Sequence, residues 1–157
     1  VTDTPLYDLF SWLGETAAGR YLTESTVAFA VVQSLHIIGL SVFGGSILVS
    51  SLAVLGTRLH LSDPTFVSRG LRPLLRLALG MTVLSGVLLV AAGPLKYYTN
   101  PLFPLKLLLL VFGASVQWLT YRIAAQRGRS TPVKLAALTS LAIWTSAVIA
   151  GRWLGLI

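Results

Sequence analysis

Four long runs without a charged residue fix what this chain can fold into. They extend from Ser25 to Thr57, Leu77 to Leu95, Leu107 to Tyr121 and Leu135 to Gly151. A helix crosses the ~30 Å hydrocarbon core of a bilayer with about 20 apolar residues. Lipid offers backbone N–H and C=O groups no partners, so a span of this kind is helical. The third and fourth runs reach full length once Lys106 and Arg152 extend their ammonium and guanidinium groups to the interface. The expected spans are therefore residues 24–57, 77–95, 104–122 and 134–153.

Composition agrees with a membrane protein. Of 157 residues, 55% are hydrophobic and 11% charged, against about 25% charged in soluble domains. There is no cysteine, which removes disulfides and thiolate metal sites. The N-terminus lacks a basic segment and carries Asp3 and Asp8, so it does not read as a secretory signal.

The linkers are short and rich in turn signals: Asp63-Pro64 in the first, Gly93-Pro94 and Asn100-Pro101 in the second, Gly128 and Pro132 in the third. Short linkers make consecutive helices antiparallel neighbours. The expected fold is an all-α, up-down-up-down four-helix membrane bundle, one domain over residues 1–157.

Before the first span, Thr4 and Pro5 form a helix start. Leu6, Leu9, Phe10 and Leu13 then share a stripe, with Asp8, Ser11 and Glu15 facing away. This pattern predicts an amphipathic helix over residues 4–20, lying in the membrane interface. The competing reading is a lid packed on the bundle.

Charge sets the orientation. Arg58, Arg69, Arg72, Arg76, Arg122, Arg127, Arg129 and Lys134 fall on the first and third linkers, against Asp63. Arg20, Lys96, Lys106 and Arg152 fall on the other side, balanced by Asp3, Asp8, Glu15 and Glu24. The whole formal charge of +7 thus lies on one side. The positive-inside rule makes that side cytoplasmic and places both termini outside, in an inner membrane. The same distribution replaces a nucleic-acid reading with one of lipid headgroups.

Within the runs, His36 is the one ionisable side chain far from an end. An ionisable group at membrane depth is a functional-site signal. Imidazole ligates the metal of haem b or bacteriochlorophyll, or hydrogen-bonds a quinone. On a helix, Gln33, His36, Leu40, Gly44, Ile47 and Ser51 fall on one side. Gly44 and Gly45 would admit a neighbouring backbone or a flat macrocycle, and Trp144 lies at membrane depth in the fourth run. The candidate cofactor set is His36, Gln33, Gly44 and Trp144. The structural alternative is that Gln33, His36 and Gln117 hydrogen-bond between helices, at ~0.6 kcal/mol per bond. His60, the other histidine, lies roughly 36 Å further along a continuous helix and cannot share one iron with His36. Met81 lies at the wrong depth. A second set, Glu24, Lys106 and Arg152, flanks the outer helix ends and suits an anionic headgroup or a propionate.

No phosphate loop, zinc-protease or serine-hydrolase motif is present, and no carboxylate lies inside a run. No catalytic or metal site is expected. These features predict a non-enzymatic membrane subunit. It would pack in a respiratory or photosynthetic electron-transfer assembly, with lipid and other membrane chains as partners. The alternative is a small cytochrome b-like, quinone- or pigment-binding redox protein centred on His36.

Glu24-Ser25, the run Leu35-His36-Ile37-Ile38-Gly39-Leu40, Gly44-Gly45, Asn100-Pro101-Leu102-Phe103 with Lys106, Ser140-Leu141-Ala142-Ile143-Trp144 and Gly151-Arg152 form a set. With it, the chain resembles a family of bacterial four-helix membrane proteins of unknown function. The resemblance implies a four-helix inner-membrane fold and no particular activity.

Overall fold

The computed structural model describes residues 4–56, 64–128 and 130–154, with side chains left out for 64–69 and 152–154. All regular structure among the described residues is helical. In chain order the helices are α1 (Pro5–Glu15), α2 (Ala17–Glu24), α3 (Thr26–Leu55), α4 (Pro64–Ala91), α5 (Pro94–Tyr98), α6 (Leu102–Arg127) and α7 (Thr131–Leu154). Four of these are long and apolar enough to cross a membrane: α3, α4 from Gly70, α6, and α7 as far as Gly151. The protein is a multi-pass membrane protein in contact with lipid.

The helix boundaries follow local chemistry more than hydropathy. α4 starts at Pro64, well before the apolar run. Its early turns carry Arg69, Arg72 and Arg76, which are good helix formers wherever they face water or headgroups. α4 also carries Pro73 within it. α6 continues past Tyr121 to Arg127 for the same reason and ends where Gly128 adopts a left-handed conformation, φ 56°. There the Gly128 N–H reaches the Ala124 carbonyl at 3.0 Å, the usual glycine closure of a helix. α6 begins at a side-chain cap, the Leu102 N–H donating to Asn100 Oδ1 at 2.9 Å.

The amphipathic N-terminal segment is two helices, not one. Thr4 caps α1, as its position suggests, accepting from the Tyr7 N–H. At Thr16 the backbone is extended, and its hydroxyl donates to the Leu13 carbonyl and accepts from the Gly19 N–H. One side chain thus closes α1 and opens α2. Phe10 is buried against Tyr98 and Phe103, and Tyr7 meets Tyr98 edge-on at 5.5 Å. Leu6, Leu9 and Trp12 remain exposed. α1 therefore packs on α5 through one edge of its stripe and presents the other edge outward.

The helices group into two units. The first contains the chain up to Ser41 and Leu77–Phe103; the second contains Val42–Arg76 and the chain from Pro104. In the first, the Thr23 hydroxyl donates to the Ala92 carbonyl, His36 meets Ser85, and Gly39 lies against Thr82. In the second, Lys106 lies along Gly151, Gly113 faces Ile143 and Trp144, and Gln117 meets Ser140. In both, residue numbers rise along one helix and fall along its neighbour. Val54, Ala124, Val133 and Ala137 form a small-residue core in the second unit, with Ile123 against it.

Six hydroxyls inside the spans are satisfied locally, whereas Ser51 Oγ and Thr82 Oγ1 are buried without a hydrogen-bond partner among the described residues. Ser34, Ser41, Ser46, Ser115, Thr120 and Ser146 each donate to the carbonyl four residues earlier at 2.7–2.9 Å. This back-bonding lets polar residues stay in an apolar helix without a partner from elsewhere. At the end of α6, the Arg122 guanidinium stacks over Trp118 at 4.7 Å, a cation–π contact suited to a headgroup boundary.

Candidate functional site

His36 lies on α3 in the first unit, half-buried against α4. Its Nδ1 is 3.0 Å from Ser85 Oγ. Gly86 lies beneath the ring: a Cβ added there would stand 3.2 Å from His36 Cε1. One turn further along α3, Gly39 brings the two helices together. A Cβ at Gly39 would be 2.6 Å from Thr82 Oγ1 and 3.2 Å from the Thr82 backbone nitrogen. Small residues at facing positions let helix backbones approach, and that approach places the imidazole within reach of the Ser85 hydroxyl.

Ser85 is buried, and its hydroxyl also donates to the Met81 carbonyl at 2.6 Å and approaches the Thr82 carbonyl at 3.2 Å. The histidine therefore meets a hydroxyl already anchored to its own helix.

Of the other candidates, Gln33 belongs to the first unit and is exposed on α3. Gly44 is in the second unit, also exposed, with open space where its Cβ would be. The packed side of α3 runs through His36, Gly39, Phe43, Ser46, Ile47, Ser50 and Val54. Of the expected stripe, His36, Ile47 and Ser51 lie on the packed side, while Gln33, Leu40 and Gly44 face outward.

In the second unit Phe43, not Gly44, meets Trp144, edge to face with ring centroids 4.7 Å apart. The Trp144 ring also closes on Gly113, where a Cβ would come within 3.1 Å of it. Trp144 Nε1 is buried without a hydrogen-bond partner among the described residues. Gln117, the third member of the interhelical reading, accepts from the Ser140 hydroxyl, with both side chains buried. Tyr121 donates to Ser50 at 3.3 Å. Sequence inspection missed Ser85, and it named Gly39 and Ser140 only within the family motifs, without a contact for either. Each is a small residue in an apolar run, and nothing local marks which helix it faces.

Of the outer set, Glu24 is exposed in the first unit, and Lys106 is half-buried in the second with its aliphatic end against Gly151. The Arg152 and Arg69 side chains lie outside the described ones, as do residues Arg58, His60, Asp63 and Arg129 altogether. Outside the spans, α5 holds Tyr97 beside Phe103 at 5.4 Å, and burial pushes its phenol above the usual tyrosine range.

No curated protein and no solved structure matches the chain. A family model, described as a family of unknown function (DUF6644), matches residues 8–157. That span takes in α3, α4, α6 and α7 together with the His36–Ser85 contact. The protein is a four-span member of this family of unknown function, as its motifs implied.

Proposed function

We propose that the protein is a non-enzymatic integral subunit of a larger inner-membrane electron-transfer assembly, respiratory or photosynthetic. The observation that carries this reading is the outward face of α3. Ala30, Gln33, Ser34 and Ser41 are all exposed there. The serines bond their own backbone and present small surfaces. The Gln33 amide makes no hydrogen bond among the described residues, and it lies ~10 Å along the helix from Thr26. Lipid chains cannot satisfy an amide, whereas a neighbouring helix can. The outward face of α6 also exposes a back-bonded serine, Ser115, among Leu105, Leu108, Val111, Phe112 and Leu119, and it exposes no amide over that stretch; Gln33 is what sets the α3 face apart. The occupant of the α3 face is a transmembrane helix of another subunit that carries a polar group opposite Gln33.

A photo-cross-linking residue at Ala30 in native membranes tests this. It is expected to capture a distinct membrane chain that also co-purifies in mild detergent, while the same probe at Leu108 captures lipid. Lipid adducts at both positions, or an adduct of two copies of this chain, would overturn the reading.

A second reading has its own observation, the His36–Ser85 contact: the protein is a small cytochrome b-like, pigment- or quinone-binding redox protein with His36 as ligand. Histidines that hold a metal characteristically donate their other ring N–H to a fixed acceptor. The visible spectrum of protein purified from its native membrane tests it. A Soret or chlorin band that disappears in His36→Ala supports the pigment form of this reading, and a featureless spectrum removes that form.

The orientation belongs to the same proposal. The first and third linkers are cytoplasmic, and both termini lie on the outer side of the inner membrane.

A further inference from the structure

We propose that the basic end of the second unit binds one anionic phospholipid, with its phosphate at Arg122 and an acyl chain in the groove beside Trp118. The proposal goes beyond the reading of the protein as an assembly subunit and does not depend on it.

Charge balance is the first observation. Arg72, Arg76, Arg122, Arg127 and Lys134 belong to this unit, and no carboxylate is among its described residues. The ends of α3 and α6 and the start of α7 meet in the Val54, Ala124, Val133 and Ala137 core, which gathers Arg122, Arg127 and Lys134 at one end. Charge of this sign beside a bilayer attracts anionic headgroups.

Two of the guanidiniums are held by aromatic rings. Arg122 stacks over Trp118 at 4.7 Å, and the half-buried Arg72 lies over the Tyr121 ring at 5.9 Å. Stacking occupies the flat face of a guanidinium and leaves its in-plane N–H fork for a phosphate. Each guanidinium has five such N–H groups, and neither arginine donates one to an acceptor among the described residues. The platform is fixed in advance. Tyr121 donates to Ser50 at 3.3 Å, and the buried Ser50 donates to the Ile47 carbonyl at 2.9 Å. Side chains of α3, α4 and α6 therefore set the positions of Tyr121 and Arg72.

The second observation is an apolar groove next to Arg122. Ala114, Ser115, Trp118 and Leu119 line it. The Ser115 hydroxyl donates to the Val111 carbonyl, so it brings no unmet donor into the groove. Ala114, Trp118 and Arg122 follow one another at four-residue steps and share one side of α6. The groove thus leads ~12 Å along the helix axis from Arg122 toward the middle of the span. A free anion would use the arginines and leave the groove empty. A zwitterionic lipid would fill the groove, but its own cation offsets the attraction of its phosphate. An anionic phospholipid satisfies both features.

The test is native mass spectrometry of the protein in micelles that hold equimolar phosphatidylglycerol and phosphatidylcholine with the same acyl chains. Ammonium acetate at physiological ionic strength screens charges more than about 8 Å away. Wild type is expected to retain one phosphatidylglycerol in preference to phosphatidylcholine. Arg122→Gln and Arg72→Gln are each expected to lower that preference about fivefold, and Arg127→Gln, away from the aromatic rings, by less than about twofold. Arg122→Lys keeps the charge without the fork and is expected to fall between wild type and Arg122→Gln, as a misfolded variant would not. Ala114→Phe fills the groove without changing charge and is expected to reduce retention. Circular dichroism checks the helix content of each variant.

Equal retention of the two lipids would overturn the proposal. So would a preference that Arg127→Gln lowers as much as Arg122→Gln, which would make the attraction a diffuse one. Retention unaffected by Ala114→Phe would overturn the groove. Displacement of the retained lipid by glycerol 3-phosphate would make this a site for a free phosphate and overturn the lipid assignment.

Discussion

At the scale of single residues, the packing of α3 rests on side chains that are small or missing. Gly39 is the clearest case, because part of what a Cβ would meet there is the backbone of Thr82. Backbone cannot rotate away, so Gly39→Ala must push α3 and α4 apart. Overpacking of this kind typically costs about 1–3 kcal/mol. Gly44→Ala, where nothing lies within 4 Å, is expected to leave stability unchanged. Thermal unfolding of the two variants in the same detergent separates them, and equal midpoints would remove the close approach at Gly39. The Gln117–Ser140 pair makes a different prediction. Ser140→Ala leaves a buried amide without its donor, at a cost of about 1–3 kcal/mol, whereas replacing both partners by apolar groups is closer to neutral. The double variant Gln117→Leu with Ser140→Ala is therefore expected to be more stable than Ser140→Ala alone. Denaturation curves that place it lower would show that the bond itself, and not the orphaned amide, governs the cost.

At the scale of elements, α1 and α5 act as one aromatic assembly. Phe10 carries the contact, buried against Tyr98 and Phe103. Truncating a buried phenylalanine costs about 3–5 kcal/mol where the site cannot collapse. With Leu6, Leu9 and Trp12 outward, the remaining contacts of α1 with α5 are Tyr7 and Thr4 on Tyr98 and Gly14 against Pro94. Phe10→Ala is expected to speed amide exchange throughout α1 and leave exchange in α7 unchanged. Tyr97 gives the same region a pH dependence. Burial holds its pKa above the ordinary tyrosine value of 10 in the fold. The unfolded chain therefore ionises first. Stability is intact below pH 10 and falls as pH rises through the raised folded value. Tyr97→Phe is expected to remove the latest-titrating component of the tyrosinate absorbance.

These elements also show what could be read from sequence and what could not. Thr4-Pro5, Pro64 and Gly128 mark helix ends because caps and glycine closures are local chemistry, legible without tertiary structure. The length of α4 was not legible from hydropathy, since arginine ends an apolar run without ending a helix. The inward side of α3 was hidden for a deeper reason. A helix apolar all round has no polar face to mark its outside. Rotating the stripe from Gly44 to Phe43 therefore changes no pattern visible in the chain. His36 stood out by its charge chemistry, whereas Ser85 looked like any other hydroxyl that bonds its own helix.

At the scale of the whole molecule, the charge distribution makes a prediction that helix packing does not. Every net positive charge of the sequence falls on the first and third linkers and the helix ends that flank them. Anionic cytoplasmic leaflets attract such residues, and translocating them is unfavourable, so the bias sets orientation. The chain has no cysteine, so a single introduced thiol is a unique reporter. Two exposed positions serve: Thr99 between α5 and α6, and Gln126 in the last turn of α6. With the termini outside, Thr99→Cys is expected to react with a membrane-impermeant maleimide in intact cells. Gln126→Cys is expected to react only after the membrane is opened. The reverse pattern would invert the protein in the membrane and place His36 in the cytoplasmic half. For the redox reading of His36 its depth then matters, because a cofactor on the outer side and one on the cytoplasmic side would exchange electrons with different carriers.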